Sequence, residues 1–186
     1  MDTRQQFLMY ILPLILVNLV SGASLGEDAE KAITDIFPNA SLHFESQPLQ
    51  QSAKTKAEQA AKQRFSLDKL FIWQVRQNNE TIAYALMDNV VGKVQPITYL
   101  VVYTNDLDIR HVQVLRYREQ IGGAVQNQQW LKQFRGTSPE SSFERGKDVD
   151  GITGATISVD ALISGLKRMS VYLSLIKGDL TNHERK

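Results

Sequence analysis

Phe71-Ile72-Trp73-Gln74-Val75-Arg76-Gln77-Asn78-Asn79-Glu80-Thr81-Ile82-Ala83-Tyr84-Ala85-Leu86 reads as two strands around a turn. On the first arm Phe71, Trp73 and Val75 alternate with Ile72, Gln74 and Arg76. That period of two puts successive side chains on opposite faces of a sheet. Asn78-Asn79 is a turn pair, because Asn side chains bond nearby backbone and tolerate the left-handed region. Ile82, Tyr84 and Leu86 resume the alternation, so residues 69–87 are predicted to form a β-hairpin. A second hairpin follows. Ile97 to Tyr103 is nearly continuous in Ile, Leu, Val and Tyr, as in a central strand, and Asn105-Asp106 turns it into Ile109–Tyr117.

Helical patterns flank these strands. Ser24-Leu25-Gly26-Glu27-Asp28 has the acidic first turn of a helix, with Ala29, Ile33, Ile36 and Phe37 behind it and Pro38-Asn39 to stop it. His43-Phe44-Glu45 fits a short strand, and Gln50 to Arg64 a peripheral helix with a thin stripe of Ala53, Ala57, Ala60 and Ala61. Gly122-Gly123 breaks the chain before a short helix from Val125 to Phe134, and 136–147 is a polar loop. At the end Ala161, Leu162, Leu166, Met169, Leu173 and Ile176 recur at helical spacing, with Lys177 and Gly178 placed as a C-terminal stop. Hairpins with helices at the ends imply the α+β class: an antiparallel or mixed sheet with flanking helices.

The N-terminus is of another kind. Phe7 to Val20 is apolar apart from Pro13 and Asn18, and Ser21-Gly22-Ala23 supplies small residues at a signal-peptidase site after Ala23. An uncleaved anchor is the alternative, although ~20 apolar residues are wanted for a span. Either way the domain is expected outside the cytoplasm, as a periplasmic protein or one held at the membrane. The expected division is 1–23 signal or anchor, 24–68 N-terminal helical segment, 69–178 main domain and 179–186 polar tail. The 186 residues include no cysteine, which excludes disulfides, a lipid-modified cysteine, c-type haem and cysteine-ligated clusters. Lys+Arg 21 against Asp+Glu 20 gives net charge +1, so nothing points to nucleic acid. His43, His111 and His183 lack ligand spacing, and no metal site is predicted. Sequons at Asn39 and Asn79 matter only in a eukaryotic secretory context.

Before the last helix stands Asp150-Gly151-Ile152-Thr153-Gly154-Ala155-Thr156, with Ser158 close behind. This places an accessible Thr hydroxyl on a tight turn at a helix N-terminus, where open backbone N–H groups and the helix dipole favour a phosphate. Gly154 and Ala155 add no bulk beside it. Simpler roles exist for each residue: Thr156 as a turn residue before Ser158 as N-cap, Thr153 as a cap, Asp150 as a turn starter, and Gly122 and Gly123 as suppliers of positive φ. Trp130 and Phe134, four apart, read as core or as a surface on which an aromatic ligand stacks.

The run resembles the flavinylation motif Asp-x-x-(Ser/Thr)-Gly-Ala-Thr of FMN-binding domains, with Asp150, Thr153, Gly154, Ala155 and Thr156 at every specified position. Such domains occur in the C subunit of the sodium-pumping NADH:quinone reductase, the G subunit of the Rnf complex and small exported relatives. The segment from Val112 to Phe134, with Tyr117-Arg118-Glu119, Gly122-Gly123 and Trp130-Leu131, is similar to the strand, glycine loop and helix before that motif. The likeness spans about Lys69 to Leu175. The large-complex subunits carry His-x-Glu-Thr-Pro-Gly-x-Gly where this chain has Tyr117-Arg118-Glu119-Gln120-Ile121-Gly122-Gly123, which implies a stand-alone member.

The resemblance implies an exported electron-transfer protein with FMN joined to Thr156 by a phosphoester, placed there by a metal-dependent flavin transferase that splits FAD. It also implies that Asp150 is read by the transferase or helps place its metal, that Gly151, Thr153 and Ser158 lie about the phosphate, and that Tyr117, Glu119, Gly122 and Gly123 line the flavin pocket. Membrane or periplasmic redox partners follow, since the chain has no other carrier. No catalytic residue is expected. The alternatives are an FMN-dependent reductase of a small molecule and a cofactor-free binding or assembly module.

Overall fold

The structure, a computed structural model, describes residues 24–183, so the predicted signal or anchor segment lies outside the described residues. Helix α1, Leu25–Ile36, opens with a capping box: Ser24 Oγ accepts from Glu27 N–H at 3.2 Å, and Glu27 Oε2 accepts from Ser24 N–H at 2.7 Å. Strand β1 (Ser41–Pro48), helix α2 (Gln51–Ala61) and strands β2 (Lys69–Gln77), β3 (Glu80–Val91), β4 (Pro96–Thr104) and β5 (Ile109–Arg116) follow. The five strands form one antiparallel sheet in the order β1-β2-β3-β4-β5. Both predicted hairpins are present, and Asn78 and Asn79 have positive φ of 53° and 65°, as the tight turn between β2 and β3 requires.

Each face of the sheet is covered. On one side Trp73, Val75, Ala83, Ala85, Leu100 and Val102 pack with Ala29, Ala32 and Ile33 of α1. On the other, Leu70, Ile72, Tyr84, Leu86, Tyr99, Val101 and Tyr103 pack beneath helix α4, Thr156–His183. Burial on both faces explains why Ile97 to Tyr103 reads as a nearly continuous apolar run. It occupies β4, between β3 and β5, and β3 is the middle strand.

Four expectations are corrected. His43-Phe44-Glu45 is part of an eight-residue strand that pairs with β2 along its whole length, so segment 24–68 shares the sheet with the rest. Helix α2 is not peripheral: Ala53, Ala57 and Ala61 are buried, and Ala53 and Ala57 join the core beneath α4, since alanines let two helix backbones approach closely. The last helix does not stop at Gly178; it runs to His183, because Leu180, four residues after Ile176, still has core to bury against. The predicted helix over 125–134 is a chain of short turns: a 3₁₀ turn at 123–126, helix α3 (Gln128–Leu131) and a second 3₁₀ turn at 132–134.

Candidate functional site

The motif enters α4 through a turn made by its own residues. Ala155 N–H donates to Ile152 C=O at 3.0 Å across Thr153 and Gly154, and Gly154 has φ +78°. Only glycine takes that third position without strain. Val159 N–H then donates to Ala155 C=O at 2.9 Å, so Thr156, Ile157 and Ser158 make up the first turn of α4. Ser158 is therefore inside the helix rather than its N-cap. Among the described residues no side chain or turn carbonyl accepts from the N–H groups of Thr156, Ile157 and Ser158. Helix geometry leaves such groups open, with the positive end of the dipole behind them. Thr156 is exposed, and nothing stands within 4 Å of where a Cβ on Gly154 would be.

Thr156 borders a cleft of about 290 Å³. One wall is Gly154, Ala155, Thr156, Ile157 and Ser158; the rest comes from Lys93 in the β3–β4 turn and from Glu119, Ile121 and Gly122 in the loop after β5. A small knot joins the loop to the helix. Tyr117 Oη donates to Ile121 C=O at 2.5 Å and lies 3.0 Å from Ser158 Oγ. A phenol has one proton, so Ser158 donates to Tyr117. Ser158 is buried, and its hydroxyl is committed to this bond. Gly122, at φ +91°, passes over the pair.

Glu119 faces the turn that carries Lys93. Its Oε1 accepts from Val94 N–H at 2.7 Å and Gln95 N–H at 2.9 Å, and these bonds hold the carboxyl below its ordinary range. Ile121 and Ile157 are 76% and 52% exposed, so two large apolar side chains stand in water beside the Thr156 hydroxyl.

Asp150 is placed elsewhere. Its C=O accepts from Trp130 Nε1–H and its N–H donates to Gln133 Oε1, both at 2.8 Å, which fixes the backbone and leaves the carboxylate exposed. With Trp130, Gln133 and Ile152 it lines a second cleft of about 450 Å³. Trp130 is buried and meets Phe134 edge to face at 5.4 Å, so this pair is core and motif support. The structure thus gathers Gly154, Ala155, Thr156, Ser158, Glu119 and Gly122 about one cleft, with Tyr117 bonded behind it. Asp150 stands outside it, and Gly151, Thr153 and Gly123 are not among the residues that line it. Lys93, Ile121 and Ile157 were not predicted. Lys93 reaches the cleft only through the meander of the sheet; two isoleucines exposed amid polar residues were the available signal for the others.

These features suit a phosphate-linked aromatic cofactor: an accessible hydroxyl, open N–H donors behind it, no bulk at Gly154, and apolar side chains next to a cation. Among the described residues no cluster could hold a metal ion and no helix is long and apolar enough to cross a membrane. Residues 92–170, from the Lys93 turn to the middle of α4, match the model of the FMN-binding domain. No curated protein matches the chain.

Proposed function

We propose that this chain, a member of the FMN-binding domain family through residues 92–170, is an exported electron carrier with FMN joined covalently to Thr156. The observation that carries the reading is the exposed Thr156 at the uncapped N-terminus of α4, on the edge of the cleft. FMN, when bound, supplies one- and two-electron chemistry; the protein supplies attachment, orientation and electrostatics.

The chain's own residues divide that work. The N–H groups of Thr156, Ile157 and Ser158 receive the phosphate charge. Ile121 and Ile157 offer apolar surface to the ring. Tyr117, Gly122 and Ser158 hold loop and helix together, and Glu119 holds the Lys93 turn. Thr156 has no general base within the motif, and a hydroxyl without one is a poor nucleophile. Its activation falls to a metal-dependent flavin transferase: the Thr156 Oγ–phosphorus bond forms, the hydroxyl proton leaves to the transferase, and AMP departs from FAD. Asp150, exposed and fixed through its backbone, is where the transferase reads the motif.

A covalent link fits work outside the cytoplasm, where released FMN is lost. Export through residues 1–23 is part of the same proposal, with membrane or periplasmic proteins as electron donor and acceptor. The test is to express the chain with and without a flavin transferase, precipitate with acid, and take the spectrum of the redissolved protein. Flavin absorbance that stays with the protein only after co-expression, and bleaches reversibly with dithionite, is expected. Yellow colour that washes away would leave a non-covalent flavoprotein and end the attachment claim.

A further inference from the structure

Lys93 brings the one positive charge among the residues that line the Thr156 cleft, and the turn that carries it is held in place. Glu119 binds the N–H groups of Val94 and Gln95, and Gly92 N–H donates to Gln95 C=O at 3.0 Å. Gly92 backs so closely onto the same carboxylate that a Cβ there would stand 2.7 Å from Glu119 Oε1. The carboxylate is engaged chiefly by the turn's backbone, with Lys93 a weaker charge partner of it, and Lys93 Nζ forms no close ion pair among the described residues. A charge set at the mouth of a cleft, on a turn fastened from below, is placed to meet a ligand.

Two anionic parts of the cofactor compete for it. The phosphate at Thr156 already has the open N–H groups of α4 on its own wall. Lys93 enters from the other elements, on the part of the lining that also holds Glu119, Ile121 and Gly122, where the apolar Ile121 has nothing to offer a phosphate. We infer that Lys93 is the cationic partner of the flavin ring, stabilising the charge that reduction adds and so raising the potential. The inference rests on the attachment reading above. Reduced in the titration by dithionite, which gives two electrons, with one proton taken from water, a bound flavin would carry the proton at N5 and a negative charge shared by N1 and the C2 carbonyl oxygen. No bond to the protein forms or breaks. Charge near N1 is one of the ways a protein tunes flavin electronics. For a partly solvated pair the effect is modest and salt-sensitive, about fivefold to tenfold in the balance of reduced over oxidised flavin.

The experiment is a spectroelectrochemical titration, with dithionite, of protein co-expressed with a flavin transferase, as wild type, Lys93→Gln and Lys132→Gln. Intact mass first establishes the loading of each. Lys132 lines a different cleft with Arg110 and Arg135 and serves as an equal change of charge elsewhere. Lys93→Gln is expected to load normally and to lower the midpoint potential by up to about 30 mV, which is tenfold for a two-electron couple. The gap should narrow in high salt, and Lys132→Gln should match wild type. Equal potentials in fully loaded wild type and Lys93→Gln overturn the assignment. A Lys93→Gln protein that loads poorly while its flavin keeps the wild-type potential puts Lys93 on the phosphate and overturns it as well. A wild type that gains no mass ends the attachment reading and this inference together.

Discussion

At Gly122 the backbone lies at φ +91°, and a Cβ there would stand 2.5 Å from Tyr117 Oη and 2.9 Å from Ser158 Oγ. A side chain meets both a strained backbone, at about 1–3 kcal/mol, and a crowded hydroxyl pair. Gly122→Ala is therefore expected to destabilise the protein by about 2–4 kcal/mol in urea unfolding and to weaken flavin loading. Gly123, at ordinary φ, is expected to tolerate alanine far better. Glu119 makes a pH-dependent prediction. Its folded carboxyl titrates below its ordinary value of 4.5, so its stabilising effect is complete above that pH and is lost as pH falls through the lower, folded value. Glu119→Gln should be less stable than wild type at neutral pH, and the difference should close in acid. A gap independent of pH would contradict the assigned bonds. The sequence made Gly122 legible as a turn residue, but not the Tyr117–Ser158 bond it covers, which joins residues 41 positions apart.

Helix α4 sits close upon the sheet at Gly165. A Cβ there would overlap Val90 Cγ1 and stand 2.9 Å from Tyr99 Oη. Glycine to alanine in a helix interior ordinarily gains about 1 kcal/mol, but overpacking costs about 1–3 kcal/mol, so Gly165→Ala should be net destabilising. One turn on, Arg168 is fully buried and donates through Nη2 to Asp88 Oδ2 at 2.5 Å, through Nη1 to Gln63 Oε1 at 2.8 Å, and also to the Arg64 carbonyl. This cation ties α4 to β3 and to the chain after α2. Removing one partner leaves a buried charge, and Asp88→Ala should cost about 3–5 kcal/mol in denaturant unfolding. The first hairpin was legible because a period of two survives in a strand with distinct faces, and the second because a nearly continuous apolar run ends at an Asn-Asp turn. The α2 packing was not, since a stripe of alanines among charged residues looks alike on a solvated helix and on one pressed against a neighbour. Gly178 misled for a related reason: glycine ends a helix only where the chain has nothing further to bury.

Across the whole molecule the meander sets the site. It brings the β3–β4 turn and the loop after β5 to the same end of the sheet as the start of α4, so a cleft forms from segments the sequence holds 63 residues apart, from Lys93 to Thr156. No local pattern carries that juxtaposition, which is why Thr156 was legible, Glu119 and Gly122 were reached only through the family resemblance, and Lys93 on the same wall was missed. The start of α1 bears on export. Ser24 is the N-cap of α1, and its N–H already meets Glu27 Oε2 at 2.7 Å. Cleavage after Ala23 would turn that bond into an ammonium–carboxylate pair, offsetting a positive charge at a helix N-terminus. N-terminal sequencing of the exported protein is expected to begin at Ser24; a start at Met1 would instead mean an uncleaved anchor. The most direct test of the central claim is the intact mass of the domain co-expressed with a flavin transferase, beside Thr156→Ala. A gain equal to FMN minus one water is expected in the wild type and none in the variant. An unmodified mass in both, or the same gain in both, would contradict it.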